Sequence, residues 1–265
     1  MPKSSRKISS PRALASALTE LVTPHRAGMP ARDAIVGVTT PLAGTKFSVI
    51  HTNELDAYEK AAKGPPFAAA AAAALPTGDE FSGTSRKAAK LSISTAKTEI
   101  FKDVKDLIGS LPADSKMVFH KPPIGTDATS NRVKEEQRNV RVSAFLYAAS
   151  READNDFHLI IGRDPKTTPE IYMTMELSGL PPASEPSFKQ LKAARDAFKK
   201  FFKTQAGGNL PGLTYDFYQP PIPVQIEGSL FFDMSHASGQ RPGPPSLKSR
   251  MPVIWEVHPI TVFKA

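Results

Sequence analysis

Histidine and carboxylate side chains recur at three places in this chain where strand ends are expected. The first is Asp154-Asn-Asp156-Phe-His158, the second Phe231-Phe-Asp233-Met-Ser-His236, the third Trp255-Glu256-Val-His258-Pro259. Imidazole is a neutral metal ligand and a proton carrier near neutral pH, and carboxylates supply hard anionic oxygens. Asp156 and His158 are two residues apart, as are Glu256 and His258. On a strand that spacing turns both side chains to one face. His158, His236, His258, Asp156, Asp233 and Glu256 therefore form a pool for a divalent-metal site or an acid–base pair. The chemistry in view is activation of water for phosphodiester hydrolysis. The same residues also have structural explanations: a strand histidine bonded to a carboxylate, a turn-forming aspartate at 156, and an aspartate at 233 that caps the next loop. Both readings stay open here, and the pattern specifies no particular metal.

The elements that must position these residues are read from periodicity. Val140 to Ala149 alternates as a strand, Phe157 to Arg163 is a second, and Asp154-Asn-Asp156 turns between them. Ile171 to Leu177 is a third strand. A helix follows, capped by Ser184 or Ser187, with Phe188, Leu191, Ala194, Phe198 and Phe201 on one face. Its other face carries Lys189, Lys192, Arg195, Lys199 and Lys200. Val224 to Asp233 is a fourth strand, with Gly228 as a bulge. A Gly/Pro-rich loop over 235–252 leads to a last strand from Val253 to Phe263.

Three strands, a helix and two strands predict an α+β chain. Its C-terminal part, 131–265, is expected to be an OB-like five-stranded Greek-key barrel with a helix between strands three and four. The three motifs together resemble a group of uncharacterised bacterial proteins with D-x-D-x-H-L-V, F-F-D-x-x-H and C-terminal E-x-H-P-V segments. The resemblance spans roughly 140–263, with Ile260 where Val is usual. It implies a domain assignment and no established activity.

Upstream, the sequence predicts a basic disordered tail over 1–12 and a mixed, partly helical region over 13–130. Within that region come a helix at 11–21, a hairpin over 34–50, a helix at 53–63 and an Ala/Pro-rich linker near 64–85. Another helix is expected over 93–111.

Composition bounds the function. The chain of 265 residues has 34 Lys and Arg against 26 Asp and Glu, a formal charge of +8, which suits a nucleic acid or other polyanion. On an OB-like barrel, bases stack on the face of strands two and three, where Phe157 and Tyr172 lie near Arg163 and Lys166. Arg241, Lys248 and Arg250 in the 235–252 loop can fold over that face. With no cysteine, disulfides, zinc–thiolate sites, iron–sulfur clusters and Cys nucleophiles are excluded. No phosphate-binding loop, G-x-S-x-G elbow or H-E-x-x-H helix is present. The N-terminus lacks an apolar signal region and Ala68 to Ala74 is too short to span a bilayer, so a cytoplasmic protein without membrane contact is expected. The leading expectation is a non-catalytic polyanion-binding module with no cofactor. The alternatives are a metal-dependent phosphodiesterase or nuclease, for which a divalent cation is the cofactor, and a scaffold that docks a protein partner.

Overall fold

A computed structural model describes residues 7–8, 27–39, 46–56, 77–206 and 209–265. The expected helix at 11–21, most of the tail, the alanine run and the 53–63 helix beyond Asp56 lie outside the described residues. The strands are β1 (Lys7–Ile8), β2 (Ile35–Thr39), β3 (Ser48–Thr52), β4 (Thr98–Phe101), β5 (Asn139–Arg151), β6 (Phe157–Gly162), β7 (Tyr172–Leu177), β8 (Asp216–Phe232) and β9 (Trp255–Lys264). The helices are α1 (Lys87–Leu91), α2 (Val104–Gly109), α3 (Asp114–Val118) and α4 (Phe188–Gln205).

Hydrogen bonding orders the strands β1-β2-β3-β8-β9-β7-β6-β5-β4, with a further pairing of β8 to β5. The β4–β5 and β7–β9 pairs are parallel and the others antiparallel. The protein is thus mixed α+β, dominated by one large sheet. The upstream region shares that sheet rather than standing beside it, because β3 pairs with the start of β8 and β4 with the start of β5.

Alternation explains the sheet's two faces. On one, Val140, Val142, Ala144 and Leu146 of β5 meet Phe157, Leu159 and Ile161 of β6, Met173, Met175 and Leu177 of β7, and Trp255 and Val257 of β9. Helix α4 closes this core with Ala194, Phe198 and Phe202, and Phe198 lies 4.9 Å from the Phe157 ring. Burying one such Phe contributes about 1.5–3 kcal/mol. The bulge expected at Gly228 is present, with register shifts on both sides of it. A Cβ there would lie 2.3 Å from the Pro259 carbonyl oxygen, so only glycine lets β8 and β9 come this close.

Two local expectations are corrected. The helix expected over 93–111 is a strand followed by a short helix. Thr98–Phe101 pairs with β5, leaving Ile100 exposed, and Asp103 starts α2 by accepting from the Lys105 amide at 2.8 Å. Strand pairing overrides the helical spacing of the apolar residues there. Arg195 is not on the solvated face of α4. It is buried, bonded to Asp79 and Asn155 at 3.0 Å each, and stacked 4.5 Å from the Phe157 ring centroid.

Candidate metal centre

The opposite face of β6, β7 and β9 carries a second apolar cluster, with Ile160 and Tyr172, and beside it a polar patch. Because Phe157 and Leu159 enter the core, His158 points away from it; by the same alternation so do Thr174 and Glu176 on β7, and Glu256 and His258 on β9. Register then gathers them. His158 pairs with Glu176 across β6–β7, Thr174 with Glu256 across β7–β9, and Phe231 of β8 with Glu256. The β5–β6 turn adds Glu152, Asp154 and Asp156, and α1 adds Lys90 from above.

Two buried arginines fix this geometry. Arg132 donates to the carbonyls of Ala89 (2.7 Å), Ser92 (3.0 Å), His258 (2.6 Å) and Leu230, tying α1 to β9 and β8. Arg86 precedes α1 in a left-handed conformation (φ 48°) and forms two hydrogen bonds to Glu136, at 2.7 and 2.8 Å. Asn155 holds the acidic turn at φ 80°, a conformation that asparagine tolerates better than most residues. Its amide donates to the carbonyls of Gly78 (3.0 Å) and Glu80 (2.8 Å), and its oxygen accepts from Arg195 and from Arg151.

At the centre, His258 Nδ1 lies 2.7 Å from Glu176 Oε2 and 3.7 Å from Glu256 Oε2, and its Nε2 lies 3.4 Å from Asp156 Oδ2. Lys90 Nζ sits 3.3 Å from Asp154, 3.6 Å from Asp156 and 4.0 Å from Glu176. Beside them, His158 Nδ1 lies 2.7 Å from Glu152 Oε1 and 3.1 Å from the Tyr215 hydroxyl. Ligand atoms of Asp156, Glu176 and His258 lie within 4.8 Å of one another, and so do those of Glu152, His158 and Glu176. Both oxygens of Glu256, His258 Nε2, Asp156 Oδ2 and His158 Nε2 are buried without a hydrogen-bond partner, while His258 Nδ1 and Glu176 Oε2 pair with each other at 2.7 Å. Buried polar atoms are nearly always bonded, so this concentration of open valences is unusual.

The electrostatics follow from burial and crowding. Burial pushes the Asp156 carboxyl well above the usual range, and the Asp154 charge adds to the rise. Glu256 is raised likewise by burial, with Glu176 and Asp233 adding. Burial also lifts Glu152, to about 7, against the pull of His158. For Glu176 burial acts upward too, but His258 and Lys90 prevail and hold its carboxyl well below the usual range. Burial would discharge His158 and Lys90, yet Glu152 holds His158 up at about 9, and Asp154, Glu176 and Asp156 keep Lys90 an ammonium. Burial lowers His258, against the pull of Glu176.

The structure brings Asp156, His158, Glu256 and His258 together. His236 stands apart. Its Nδ1 faces the Gln240 carbonyl at 3.1 Å, and its Nε2 lies 3.5 Å from Asp233. Asp233 caps the following turn, accepting from the Ser235 amide at 2.8 Å, although its charge reaches Lys90 and Glu256. Sequence reasoning missed Glu176, Glu152 and Lys90. Glu176 had a signal, as a carboxylate within an otherwise apolar strand and on the His158 side of the β6–β7 pair. Lys90 on its short helix had none.

The residues expected to stack and bind a polyanion are placed differently. Phe157 and Tyr172 are buried, the first in the main core and the second against Tyr147, so neither ring offers a face to a base. The guanidinium groups of Arg163, Arg241 and Arg250 are paired with Asp103, Asp114 and Glu170. Lys166 is exposed and Lys248 half-buried.

Compared with known proteins, the chain matches no family model, no curated protein and no solved structure. Among the described residues no helix is long and apolar enough to cross a membrane.

Proposed function

We propose that the protein is a divalent-cation-dependent phosphodiesterase built on an OB-like barrel. The pairings support the fold: β5-β6-β7-β9-β8 return to β5, β7–β9 is the parallel pair among them, and α4 stands between β7 and β8 in the chain. That connectivity is the one expected of a five-stranded Greek-key barrel of this type. The single observation that carries the function is the convergence of buried ligand atoms of Asp156, Glu176 and His258 within 4.8 Å of one another, with Asp156 Oδ2 and His258 Nε2 lacking hydrogen-bond partners. One imidazole and several carboxylates suit Mg²⁺, Mn²⁺ or Zn²⁺.

A cation held there would polarise water and a phosphoryl oxygen. Glu152, half-buried with a carboxyl near 7, is the group best placed to accept the water's proton. Lys90 supplies a positive charge for an anionic substrate. The test uses EDTA-stripped protein titrated with Mn²⁺, then assayed on bis(p-nitrophenyl) phosphate. Micromolar to millimolar Mn²⁺ should raise the melting temperature and support turnover that EDTA abolishes. Failure of Mn²⁺, Mg²⁺ and Zn²⁺ to bind would overturn the reading; binding without turnover would leave a cation site and remove the hydrolase.

A second reading keeps the protein a polyanion binder, supported by the exposed Lys189, Lys192, Lys200 and Lys203 along α4 and by the net +8. Labelled single-stranded DNA would then bind with an affinity that falls steeply with salt and survives EDTA.

A further inference from the structure

We propose that the cluster holds two divalent cations bridged by Glu176; this rests on the cation-dependent reading above. Two independent ligand groups meet at that residue. Asp156, Glu176 and His258 form one, Glu152, His158 and Glu176 the other, each with ligand atoms within 4.8 Å of one another. A carboxylate has two oxygens and can give one to each of two ions, which in such centres stand roughly 3.5–4 Å apart.

The second group has its own evidence of an unmet ligand. His158 is buried, and its Nε2 has no hydrogen-bond partner, while its Nδ1 is already engaged by Glu152 at 2.7 Å and by the Tyr215 hydroxyl at 3.1 Å. Glu152 thus orients the ring from outside, as carboxylates do for metal-ligating histidines, and the second ion falls to His158 Nε2 and Glu176.

The experiment is metal stoichiometry on the stripped full-length chain, by native mass spectrometry and by calorimetric titration with Mn²⁺, with electron paramagnetic resonance of the loaded protein. The wild type should take two Mn²⁺ per chain and give the exchange-coupled signal of a manganese pair. His158→Ala should retain one ion with an uncoupled signal, and Glu176→Gln should weaken binding of both by at least tenfold. His158→Gln, closer in volume, serves if the alanine variant melts much lower than wild type. One Mn²⁺ per chain in the wild type, unaffected by His158→Ala, would overturn the pair and keep the single-cation reading. No bound Mn²⁺ would overturn both.

Discussion

Two buried ionic networks lie beneath α1, and they differ in how fully their polar atoms are bonded: Arg86 Nε is the one open atom of the first, while several are open in the second. In the first, Arg86 meets Glu136 through two hydrogen bonds, donates to the Phe232 and Asn131 carbonyls, and Glu136 accepts in addition from the Phe232 and Val133 amides. In the second, around Glu176 and His258, carboxylates and imidazoles approach one another with no hydrogen-bond partner for most of their inward atoms. On the proposed reading, the difference separates structural from functional polarity. Filling the valences of a buried ion pair is what makes its desolvation tolerable. Leaving them open costs stability unless something else, such as a bound cation, fills them.

The comparison breaks most visibly at the Arg86–Glu136 network. Glu136→Ala leaves Arg86 charged and buried, its cation lying 4.6 Å from the Phe231 ring centroid with no carboxylate. A loss of about 3–5 kcal/mol is expected, read as a lower urea midpoint in chemical denaturation. An unchanged midpoint would show that the network is not structural.

Glu256→Gln in the open cluster should behave in the opposite way. It removes a carboxyl crowded by Glu176 and Asp233, neither of whose oxygens is bonded. Without cation the melting temperature should hold or rise, by about 1–2 kcal/mol of stability, while Mn²⁺ affinity falls. A large loss of stability without metal would return the cluster to a structural role.

Lys90→Met sharpens the same contrast. The ammonium lies within 3.3–4.0 Å of Asp154, Asp156 and Glu176, oxygens that a cation would also use. Its removal should lower the cation-free stability and raise Mn²⁺ affinity about tenfold, or ~1.4 kcal/mol. A drop in both quantities would show that Lys90 supports the cation rather than competing with it.

How much of this was legible in the sequence follows from the range of each signal. Strands β5, β6, β7 and β9 and helix α4 write their own two-residue or helical periods, so they are read locally. The Asp156, His158, Glu256 and His258 positions are read with them, because alternation alone decides their face. What was not legible depends on partners far along the chain. Thr98–Phe101 becomes a strand only because β5 runs beside it, and Ile100 carries no local mark of that. Arg195 looks like one more cation on a solvated stripe until Asp79 and Asn155, distant in sequence, arrive to bind it. Phe157 and Tyr172 illustrate the converse limit: a strand aromatic can be named from sequence, but whether its ring is covered depends on what packs over it.

The smallest expected effect lies at the edge of the acidic turn, where Asp79 accepts from Arg195 at 3.0 Å and from Lys199 at 2.7 Å. Burial works to raise this carboxyl, but the hydrogen bonds and charges of the two cations prevail and hold it below the usual carboxylate range. A folded-state value depressed in this way contributes stability above the unfolded value of about 3.9. The contribution is lost as pH falls through the lower folded value. Asp79→Asn should therefore cost about 1 kcal/mol or less at pH 7 and shrink the difference between variant and wild type as the solution is taken from pH 5 towards pH 2. A difference that stays constant across that range would mean that Asp79 acts through hydrogen bonding and packing alone. Cation binding should survive the substitution, since Asp79 steadies Arg195, which shares Asn155 with the turn, and reaches no ligand of the centre directly.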